Sequence, residues 1–412
     1  MRHSGWLYRG CDSLQRARNI TCGPVRRWQI AKVQTFSIHP FCVPVDPGEL
    51  RAEIRSFIAD NRPELPPESR ANSWAVGDAA FSRALGRAGY IGMTWPKAYG
   101  GHERHALERY IVLEELLAAG APVGMHWIAD RQSGALLLRY GNEALREKYV
   151  PGMAAGEIYA CIGMSEPGAG SDLAAVRTAA RRKDDGWVVN GQKVWTTNAH
   201  NAAFMIALVR TSEGEKRQDG LSQVLIELDR PGVDVRPVID ITGGHDFNEV
   251  FLDDVFVPDE NILGQEGNGW RQVTAELSLE RSGPERYLSS YALVTALADH
   301  VRHAGNEQAV ALLGRMVAET WSLRSMSMSV AAKLAGGDDP ALEAAIVKDL
   351  GNGFEQDIPR AVQAVIEGVD LADDEEFVRI LRTLLMVSPS FSLRGGTREI
   401  LKSIIARGLG LR

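Results

Sequence analysis

The apolar residues in the first third of the chain recur at helical spacing. In DPGELRAEIRSFIADNRPEL, one face of the predicted helix carries Leu50, Ile54, Phe57 and Ile58. Pro47 suits the first turn of that helix. The stretches DAAFSRALGRAGYIG, ALERYIVLEELLAAGAP and NEALREKYVPGMAAGE repeat the pattern, whereas TWPKAYGG has the proline and glycine content of a loop. The pattern predicts an α-helical region over 46–158.

A period of two replaces the helical period after residue 158. In GWVVNGQKVWTTN, the alternating residues 187–189 and 192–197 flank Asn190-Gly191, a pair favoured in two-residue hairpin turns, so this stretch predicts a β-hairpin. Further strands are predicted in AAFMIALVRT, LSQVLIELD, VDVRPVID and NEVFLDDVFVP. At least six strands without a long helix predict a compact β-barrel or sandwich over 159–268.

Helical spacing returns at residue 269 and continues to the end of the chain. GWRQVTAELSLER begins the first of these helices. The long stretch NEQAVALLGRMVAETWSLRSMSMSVAAKLAGG ends in two glycines, and Asp339-Pro340 marks the start of the next helix. The order helix, strand, helix predicts an α+β fold with an α-helical N-terminal domain, a β middle domain and an α-helical C-terminal domain over 269–412.

Charge and length exclude some classes of protein. The 412 residues carry a formal net charge of −7, which argues against a general nucleic-acid binder, because affinity for the phosphate backbone comes from clustered Lys and Arg. No apolar run approaches the roughly 18 to 20 residues of a membrane span. A protein with two to three domains and no membrane span is therefore expected.

The first 45 residues differ from the rest of the chain. They carry seven Lys and Arg against one acidic residue, and they hold three of the four cysteines, leaving only Cys161 in the body. One cysteine cannot form a disulfide framework, so a reducing compartment is expected: the cytoplasm or, in a eukaryote, the mitochondrial matrix. Residues 1–45 are interpreted as a basic, poorly ordered extension, with a transit peptide as the alternative.

A glycine-rich strip follows the first helical region. In MSEPGAGSDL, Gly168 and Gly170 leave little side-chain bulk, so backbone N–H groups can approach a ligand, and Ser165 and Ser171 add hydroxyl groups beside them. Such a strip suits a flat, electron-rich or anionic ligand. The alternative is a tight turn with capping serines.

Two further stretches have both a functional and a structural interpretation. In KVWTTN, Trp195 could stack on an aromatic ring while Thr196 and Thr197 offer hydroxyl groups, although ordinary sheet packing explains the same pattern. In FSLRGGTREILKSIIARGLG, two glycines precede Thr397, which looks like a helix N-cap, with Ile400 and the later isoleucines on one face. A helix start after two glycines can bind an anionic group, or it can simply begin the last helix.

Taken together and in this order, these stretches resemble the acyl-CoA dehydrogenase family. The resemblance rests on GMSEPGAGSDL, NGQKVWTTN, NEVFLDDVFVPDENILGQEGNGW and GGTREI, and it covers about 46–412. It implies an all-α N-terminal domain, a β-barrel middle domain and a C-terminal four-helix bundle. It also implies bound FAD and no metal, α,β-desaturation of an acyl-CoA thioester, electron transfer to an electron-transfer flavoprotein, and a homotetramer or homodimer.

The resemblance also implies roles for particular residues. Residues that would contact the flavin are Met164, Ser165, Trp195, Thr196 and Thr197. Those that would contact the adenosine part of FAD are Thr397, Arg398 and Glu399. Ser171, a further cofactor-site residue, would also lie near the CoA part of the substrate, with Ser278 and Arg281, and Gly396 would lie at the thioester end.

The reaction needs a carboxylate that removes the α-proton. Many members of the family carry it immediately before the Gly-Thr of the last motif, but here that position is Gly395, which has no side chain. Isovaleryl-CoA and long-chain acyl-CoA dehydrogenases instead use a glutamate in a pattern similar to LSLER, which corresponds to Glu280. Glu280 is therefore predicted as the base, and the alternative is a surface pair with Arg281. The second pair, Glu285 and Arg286, is expected to be solvated.

Two family stretches are absent from this sequence. Neither the R-x-x-F-G pattern near HVRHAGNEQAV nor the Q-x-x-G-G-x-G loop near EGVDLADDEEFVRIL is present. In the family these stretches complete the FAD site of a neighbouring subunit, so a hetero-oligomer remains an alternative. A flavin oxidase or monooxygenase on the same fold, and a weakly active or non-catalytic subunit, are further alternatives.

Overall fold

The computed structural model describes residues 37–304, 306–366 and 375–411; the side chains of 277–280 and 304 lie outside the described part. Most of the predicted extension over 1–45 therefore also lies outside it. Within the described part, no helix is both long and apolar enough to cross a membrane.

The first region is helical, as the spacing predicts. Its helices are α1 (Pro47–Asn61), α2 (Pro67–Ala71), α3 (Ala79–Arg87), α4 (Ala106–Ala118), α5 (Gly124–Ile128), α6 (Gly134–Tyr140) and α7 (Glu143–Ala154). The Asp46 side chain caps α1 by accepting a hydrogen bond from the Gly48 N–H over 2.6 Å. Leu50, Ile54 and Ile58 are buried on one face of α1. The helix therefore forms because a capped start and one apolar stripe agree.

The middle region is a curled seven-stranded sheet. Its strands are β1 (Ala160–Gly163), β2 (Ala179–Lys183), β3 (Gly186–Thr197), β4 (Phe204–Arg210), β5 (Leu221–Glu227), β6 (Val233–Val238) and β7 (Phe247–Pro258). They follow the order β1-β4-β2-β3-β7-β6, with β5 paired to β4. Strands β4 and β5 are almost wholly buried, which explains their continuous apolar runs.

The predicted hairpin turn at Asn190-Gly191 is wrong. Strand β3 runs unbroken through this pair, with a register shift against β7 between Val189 and Gly191. The Asn190 side chain bridges to β7, donating to Asp254 Oδ1 over 2.9 Å and accepting from the Asp254 N–H over 3.0 Å. The actual hairpin joins β2 to β3. It turns at Asp184, which adopts a φ of 50°. The Asn-Gly pair makes a bulge because β7 holds the strand across it.

The last region returns to helices. They are α8 (Gly269–Glu280), α9 (Tyr291–Ala304), α10 (Glu307–Ala335), α11 (Ala341–Val365), α12 (Glu375–Val387) and α13 (Arg398–Gly408). Helix α10 has the long extent that its pattern predicts, and Asn306 caps it by accepting from the Ala309 N–H over 2.7 Å. On α13 the buried apolar residue is Leu401, whereas Ile404 and Ile405 are only half-buried.

The two helical regions share one hydrophobic core. Ile54 and Ile111 from the first region lie in the same buried cluster as Leu293, Leu297 and Ile358 from the last. A second and a third cluster lie against and within the sheet. The helices therefore pack together around the sheet as one α+β fold, and the boundaries at 158 and 268 stay a prediction.

Candidate active site

Hydrogen bonds join the glycine-rich strip to strand β3. The Val194 N–H donates to the Ser165 carbonyl over 2.9 Å. The ammonium group of Lys193 donates to the Met164 carbonyl over 3.3 Å. The bonded residues in these two contacts are 29 positions apart in the sequence, and the sheet brings them side by side. The predicted flavin residues Met164 and Ser165 therefore adjoin the strand that carries Trp195.

A buried ion pair holds this junction. Lys193 is fully buried and its Nζ lies 2.8 Å from Glu166 Oε1 and 2.6 Å from the Leu208 carbonyl. Glu166 also accepts from the N–H groups of Arg177 and Thr178, over 2.7 and 2.9 Å. Each charge thus has a partner of opposite sign and additional hydrogen bonds, which is the condition for tolerating buried charges.

Burial and ion pairing shift the pKa values of Lys193 and Glu166 in opposite directions. Burial lowers the pKa of Lys193 to about 8, although the neighbouring Glu166 charge acts to raise it. Burial acts to raise the pKa of Glu166, but Lys193 and the hydrogen bonds to its carboxylate leave that pKa below its ordinary value. The sequence analysis identified neither Lys193 nor Glu166 as a site residue. The one sequence feature that could have indicated a buried lysine was its position beside apolar residues in a predicted strand, two residues before Trp195.

Trp195 presents its indole to solvent. It is 59% exposed and adopts a φ of 59°, at a register shift between Lys193 and Thr196. Its ring meets Phe247 edge-on, with centroids 5.9 Å apart. A bulky residue in the left-handed region costs about 1–3 kcal/mol, so the surrounding strand imposes this conformation. In ordinary sheet packing the Trp195 indole would be covered by neighbouring side chains, whereas here the strand holds it towards solvent at an energetic cost.

The residues around Trp195 differ in what they offer to a ligand. Thr197 is half-buried, whereas Thr196 is fully buried, and none of the described residues hydrogen-bonds its hydroxyl group. A Cβ added at Gly168 or Gly170 would meet no atom within 4 Å. Ser171 is exposed. The strip is therefore open on one side, which suits the approach of a large planar ligand.

The second group of predicted residues surrounds the two glycines at 395 and 396. Gly396 has a φ of 99°, a conformation that favours glycine. Its carbonyl accepts from Lys348 Nζ over 3.0 Å. A Cβ built on Gly396 would lie 4.0 Å from Arg281 Nη2. The guanidinium of Arg281, the residue that directly follows α8, therefore lies beside Gly396. The side chains of Ser278 and Glu280 themselves lie outside the described residues.

Residues 397–399 connect to helix α11. Thr397 occupies the N-cap position of α13 without a side-chain hydrogen bond that caps the helix. Arg398 Nε donates to Asp349 Oδ1 over 2.8 Å, and Glu399 is exposed. Arg398 thus ties the start of α13 to α11, on elements other than those that carry Met164, Ser165 and Trp195.

The expectation that Glu285 and Arg286 are solvated is wrong. Their side chains are 4% and 3% exposed. Glu285 Oε1 lies 2.6 Å from Arg131 Nη2 and 3.5 Å from Arg286 Nε. Helix α8 ends at Glu280, and the chain then turns inward between the two helical regions, where Pro284 begins a short 3-10 turn. Both charges are therefore buried, and Glu285 pairs with Arg131 from the N-terminal region as well as with Arg286.

Comparison with known proteins gives matches over most of the chain. The family model of the acyl-CoA dehydrogenase N-terminal domain matches residues 46–157, and that of the middle domain matches 161–255. Acyl-CoA dehydrogenase IpdE1 of Mycobacterium tuberculosis is 33% identical over 388 residues, which cover 89% of this chain and 98% of that protein.

Solved structures agree with these matches. The structure titled "Tcur3481-Tcur3483 steroid ACAD" has a TM-score of 0.79 at 26% identity, covering 89% of this chain and 97% of that one. The ChsE4-ChsE5 complex from Mycobacterium tuberculosis has a TM-score of 0.75 at 29% identity, with the same two coverages. Fold and site thus define an FAD-dependent oxidoreductase with a helix–sheet–helix architecture. The chain belongs to the acyl-CoA dehydrogenase family.

The residues of the site fit FAD, the cofactor of this family. The outward indole of Trp195 offers a face for a flavin ring. The open strip at Gly168 and Gly170 leaves room for close approach. The hydroxyl of Thr196, next to Trp195 in the strand, is buried and has no hydrogen-bond partner among the described residues. The assignment of individual residues to parts of the cofactor stays a prediction.

Proposed function

We propose that this acyl-CoA dehydrogenase desaturates the α,β bond of an acyl-CoA thioester with Glu280 as base, and passes electrons to an electron-transfer flavoprotein. One observation supports the assignment of the base: α8 ends at Glu280, and the guanidinium of the next residue, Arg281, lies beside Gly396. Gly395 leaves the alternative base position without a carboxylate. The end of α8 is thus the place from which a carboxylate can reach the thioester end.

The chemistry follows from these positions. The Glu280 carboxylate takes the α-proton and becomes a carboxylic acid. When bound, FAD supplies the acceptor for the hydride that leaves the β-carbon, so that the α,β double bond forms. Gly396, at the thioester end, leaves space for the substrate to approach, and Arg281, Ser171 and Ser278 bind the substrate.

The cofactor is held in two places in this proposal. Met164, Ser165, Trp195, Thr196 and Thr197 contact the flavin ring, and the exposure of Trp195 supports this. Ser171 lies where the cofactor site meets the CoA part. The adenosine part contacts residues at the start of α13, namely Thr397, Arg398 and Glu399.

An anaerobic titration with a panel of acyl-CoAs tests the reaction. The wild type should lose its flavin absorbance, and Glu280→Gln should keep its FAD but stay oxidised. Glu147→Gln is the matched control, because Glu147 is an exposed carboxylate on α7, away from this site. Bleaching in Glu280→Gln at the wild-type rate would refute the assignment of the base.

The electron acceptor needs a separate measurement. Enzyme reduced by substrate should be reoxidised quickly by an electron-transfer flavoprotein and slowly by air. Rapid oxygen consumption during turnover would favour the oxidase or monooxygenase alternative instead.

The acyl group is proposed to be bulky and ring-bearing. One solved relative, the Tcur3481-Tcur3483 steroid ACAD, is named as a steroid enzyme, and the match covers 89% of this chain. A preference for ring-bearing over straight-chain acyl-CoAs in the same titration would support the proposal, and equal or lower kcat/KM for ring-bearing acyl-CoAs would oppose it.

The chain is further proposed to form a homotetramer or homodimer, or a hetero-oligomer with a related chain. Helix α10 carries an exposed apolar stripe of Val310, Val317 and Trp321, which are 46% to 63% exposed. A stripe of this kind on a helix marks a protein interface. Two solved relatives are titled as pairs of proteins. Light scattering should give an oligomer that Trp321→Asp dissociates; a monomeric wild type without flavin would favour the hetero-oligomer.

A further inference from the structure

A small polar cavity lies between the two helical regions, away from the sheet. One wall comes from the N-terminal region, with Ser73 and Trp74 just after α2. The other wall comes from the buried segment after α8, with Glu285 and Ser289. The enclosed part measures about 10 Å³, room for one water-sized group. The space around it, about 290 Å³, includes open solvent.

Two buried polar atoms of the cavity lining are left unsatisfied. Neither Glu285 Oε2 nor Trp74 Nε1 has a hydrogen-bond partner among the described residues. Glu285 is 4% exposed, so bulk water does not solvate its carboxylate freely. Buried polar atoms are nearly always hydrogen-bonded, and an exception calls for a bound group. One atom is an acceptor and the other is a donor, so the residues that line the cavity carry both functions.

The cavity adjoins the proposed active site through Arg394. Its guanidinium lies over the Trp74 ring, 4.7 Å from the centroid. Arg394 Nη2 also donates to Ser289 Oγ over 3.0 Å. The next residue is Gly395, beside the thioester end at Gly396. Glu285 lies five residues after Glu280 in the chain. A group reaching this cavity from the thioester would therefore belong to the acyl part of the substrate.

We propose that this cavity binds a hydroxyl group on the acyl part of the substrate, with Glu285 accepting its hydrogen bond and Trp74 donating one. The substrate class is thus a hydroxylated, ring-bearing acyl-CoA. This inference rests on the proposed desaturation of an acyl-CoA. Glu285 and Trp74 are specificity-determining residues, distinct from the base.

Other functional groups on a substrate would satisfy the acceptor Glu285 Oε2 and the donor Trp74 Nε1 less well. A ketone oxygen accepts from Trp74 but gives Glu285 no donor. A carboxylate, like a ketone, accepts from Trp74 but gives Glu285 no donor, although Arg70 in the cavity lining carries the opposite charge. An ammonium group gives Glu285 a donor but offers Trp74 no acceptor. A hydroxyl donates once and accepts at the same oxygen, and it has the size of the enclosed space. A bound water has the same properties and is the competing occupant.

Matched substrates separate the hydroxyl group from water. The holoenzyme would be assayed with 3-cyclohexylpropanoyl-CoA and with its 2-, 3- and 4-hydroxycyclohexyl analogues, measuring kcat/KM and the anaerobic loss of flavin absorbance. For wild type, at least one hydroxylated isomer should exceed the parent compound by about 10- to 100-fold in kcat/KM, since a site built to bond a hydroxyl rejects the analogue without it.

Two variants test the assigned atoms. Trp74→Phe keeps the aromatic face under Arg394 and removes the indole N–H, so the preference should fall to about threefold or less. Glu285→Gln should also reduce it, but this variant removes the partner of Arg131 and can fail to fold. Trp74→Phe therefore carries the test by itself.

The outcomes are distinct. A preference in wild type that is lost in Trp74→Phe supports the inference. Equal kcat/KM for parent and hydroxylated compounds overturns it and assigns the cavity to water, while the proposed reaction stands because flavin is still reduced. Reduction by other acyl-CoAs but by none of these four also overturns it. If no acyl-CoA reduces the flavin, the proposed function fails first and this inference fails with it.

Discussion

Replacing Lys193 by methionine should both destabilise the protein and loosen its hold on FAD. Methionine keeps most of the length of the side chain and removes the charge. Glu166 would then be buried without its cation, and the carbonyl groups of Met164 and Leu208 would lose a donor. Because Met164 and Ser165 form the predicted flavin contact, the effect should extend from stability to cofactor binding.

The size of the effect follows from the burial of the pair. Lys193 is 0% and Glu166 7% exposed at the side chain. Removing one partner of a buried ion pair costs about 3 to 5 kcal/mol, because the other charge stays buried and uncompensated. Total stabilities of domains are about 5 to 15 kcal/mol, so Lys193→Met should be severely destabilised. The double variant Lys193→Met/Glu166→Gln removes both charges and should lose about 2 kcal/mol less than the sum of the single variants.

Urea unfolding followed by circular dichroism, with FAD release followed by fluorescence, measures both effects. Lys148→Met is the matched control: Lys148 also pairs with a glutamate, but it is 59% exposed, so its loss should cost less than about 1 kcal/mol. The reasoning is refuted if Lys193→Met loses no more than this control. It is equally refuted if the losses of the two single variants add without coupling.

The same pair predicts a dependence on pH. The pKa of Lys193 is about 8 in the folded protein, below its ordinary value of 10.5. The unfolded chain then binds more protons than the folded protein between these values. Stability from this group therefore rises with pH from about 8 to 10.5, and Lys193→Met should lack that rise. The measurement is the free energy of unfolding of both proteins at pH 7.5 and pH 10.

Three further predictions test other parts of the fold. Gly351→Ala should lower the free energy of unfolding by about 3 kcal/mol, because the added Cβ would overlap the Arg286 carbonyl oxygen. Gly353→Ala on the same helix is the control: its Cβ would meet only the guanidinium of Arg398 at 3.9 Å, so its stability should be unchanged or higher. Urea unfolding measures both variants. Trp195→Ala should weaken FAD binding about tenfold and Trp195→Phe less, measured by apoenzyme titration; equal affinity of all three would contradict a stacking role. Burial acts to raise the pKa of Glu227, but hydrogen bonds and charges from Lys148, Tyr149 and Arg230 lower it to about 2. The contribution of Glu227 to the free energy of unfolding is therefore complete above pH 4.5 and is lost as the pH falls towards 2. Glu227→Gln should therefore cost about 1 to 2 kcal/mol at pH 6 and much less at pH 3.

The sequence by itself determined the order and type of the elements. Helix α1 illustrates why: Asp46, the apolar stripe and the helical spacing are all local, so they act before any long-range contact forms. The motifs likewise identified the family, because several separated stretches had to match together. The outward position of the Trp195 indole was one of two readings that the sequence allowed.

Only the tertiary structure decided how distant residues pair. The Asn190-Gly191 pair is a hairpin signal in isolation, but its position across from Asp254 makes it a bulge within β3. Lys193 looks like any strand lysine until the sheet places Glu166 beside it.

The tertiary structure also decides whether the charged residues in the segment SGPER after α8 are buried. Charged residues normally face water, so the local pattern favours a solvated Glu285 and Arg286. Arg131, more than 150 residues earlier in the chain, provides the ion pair that lets Glu285 be buried. Periodicity reports which face of one element is apolar, but the energy of burying a charge depends on a partner that only the folded chain supplies.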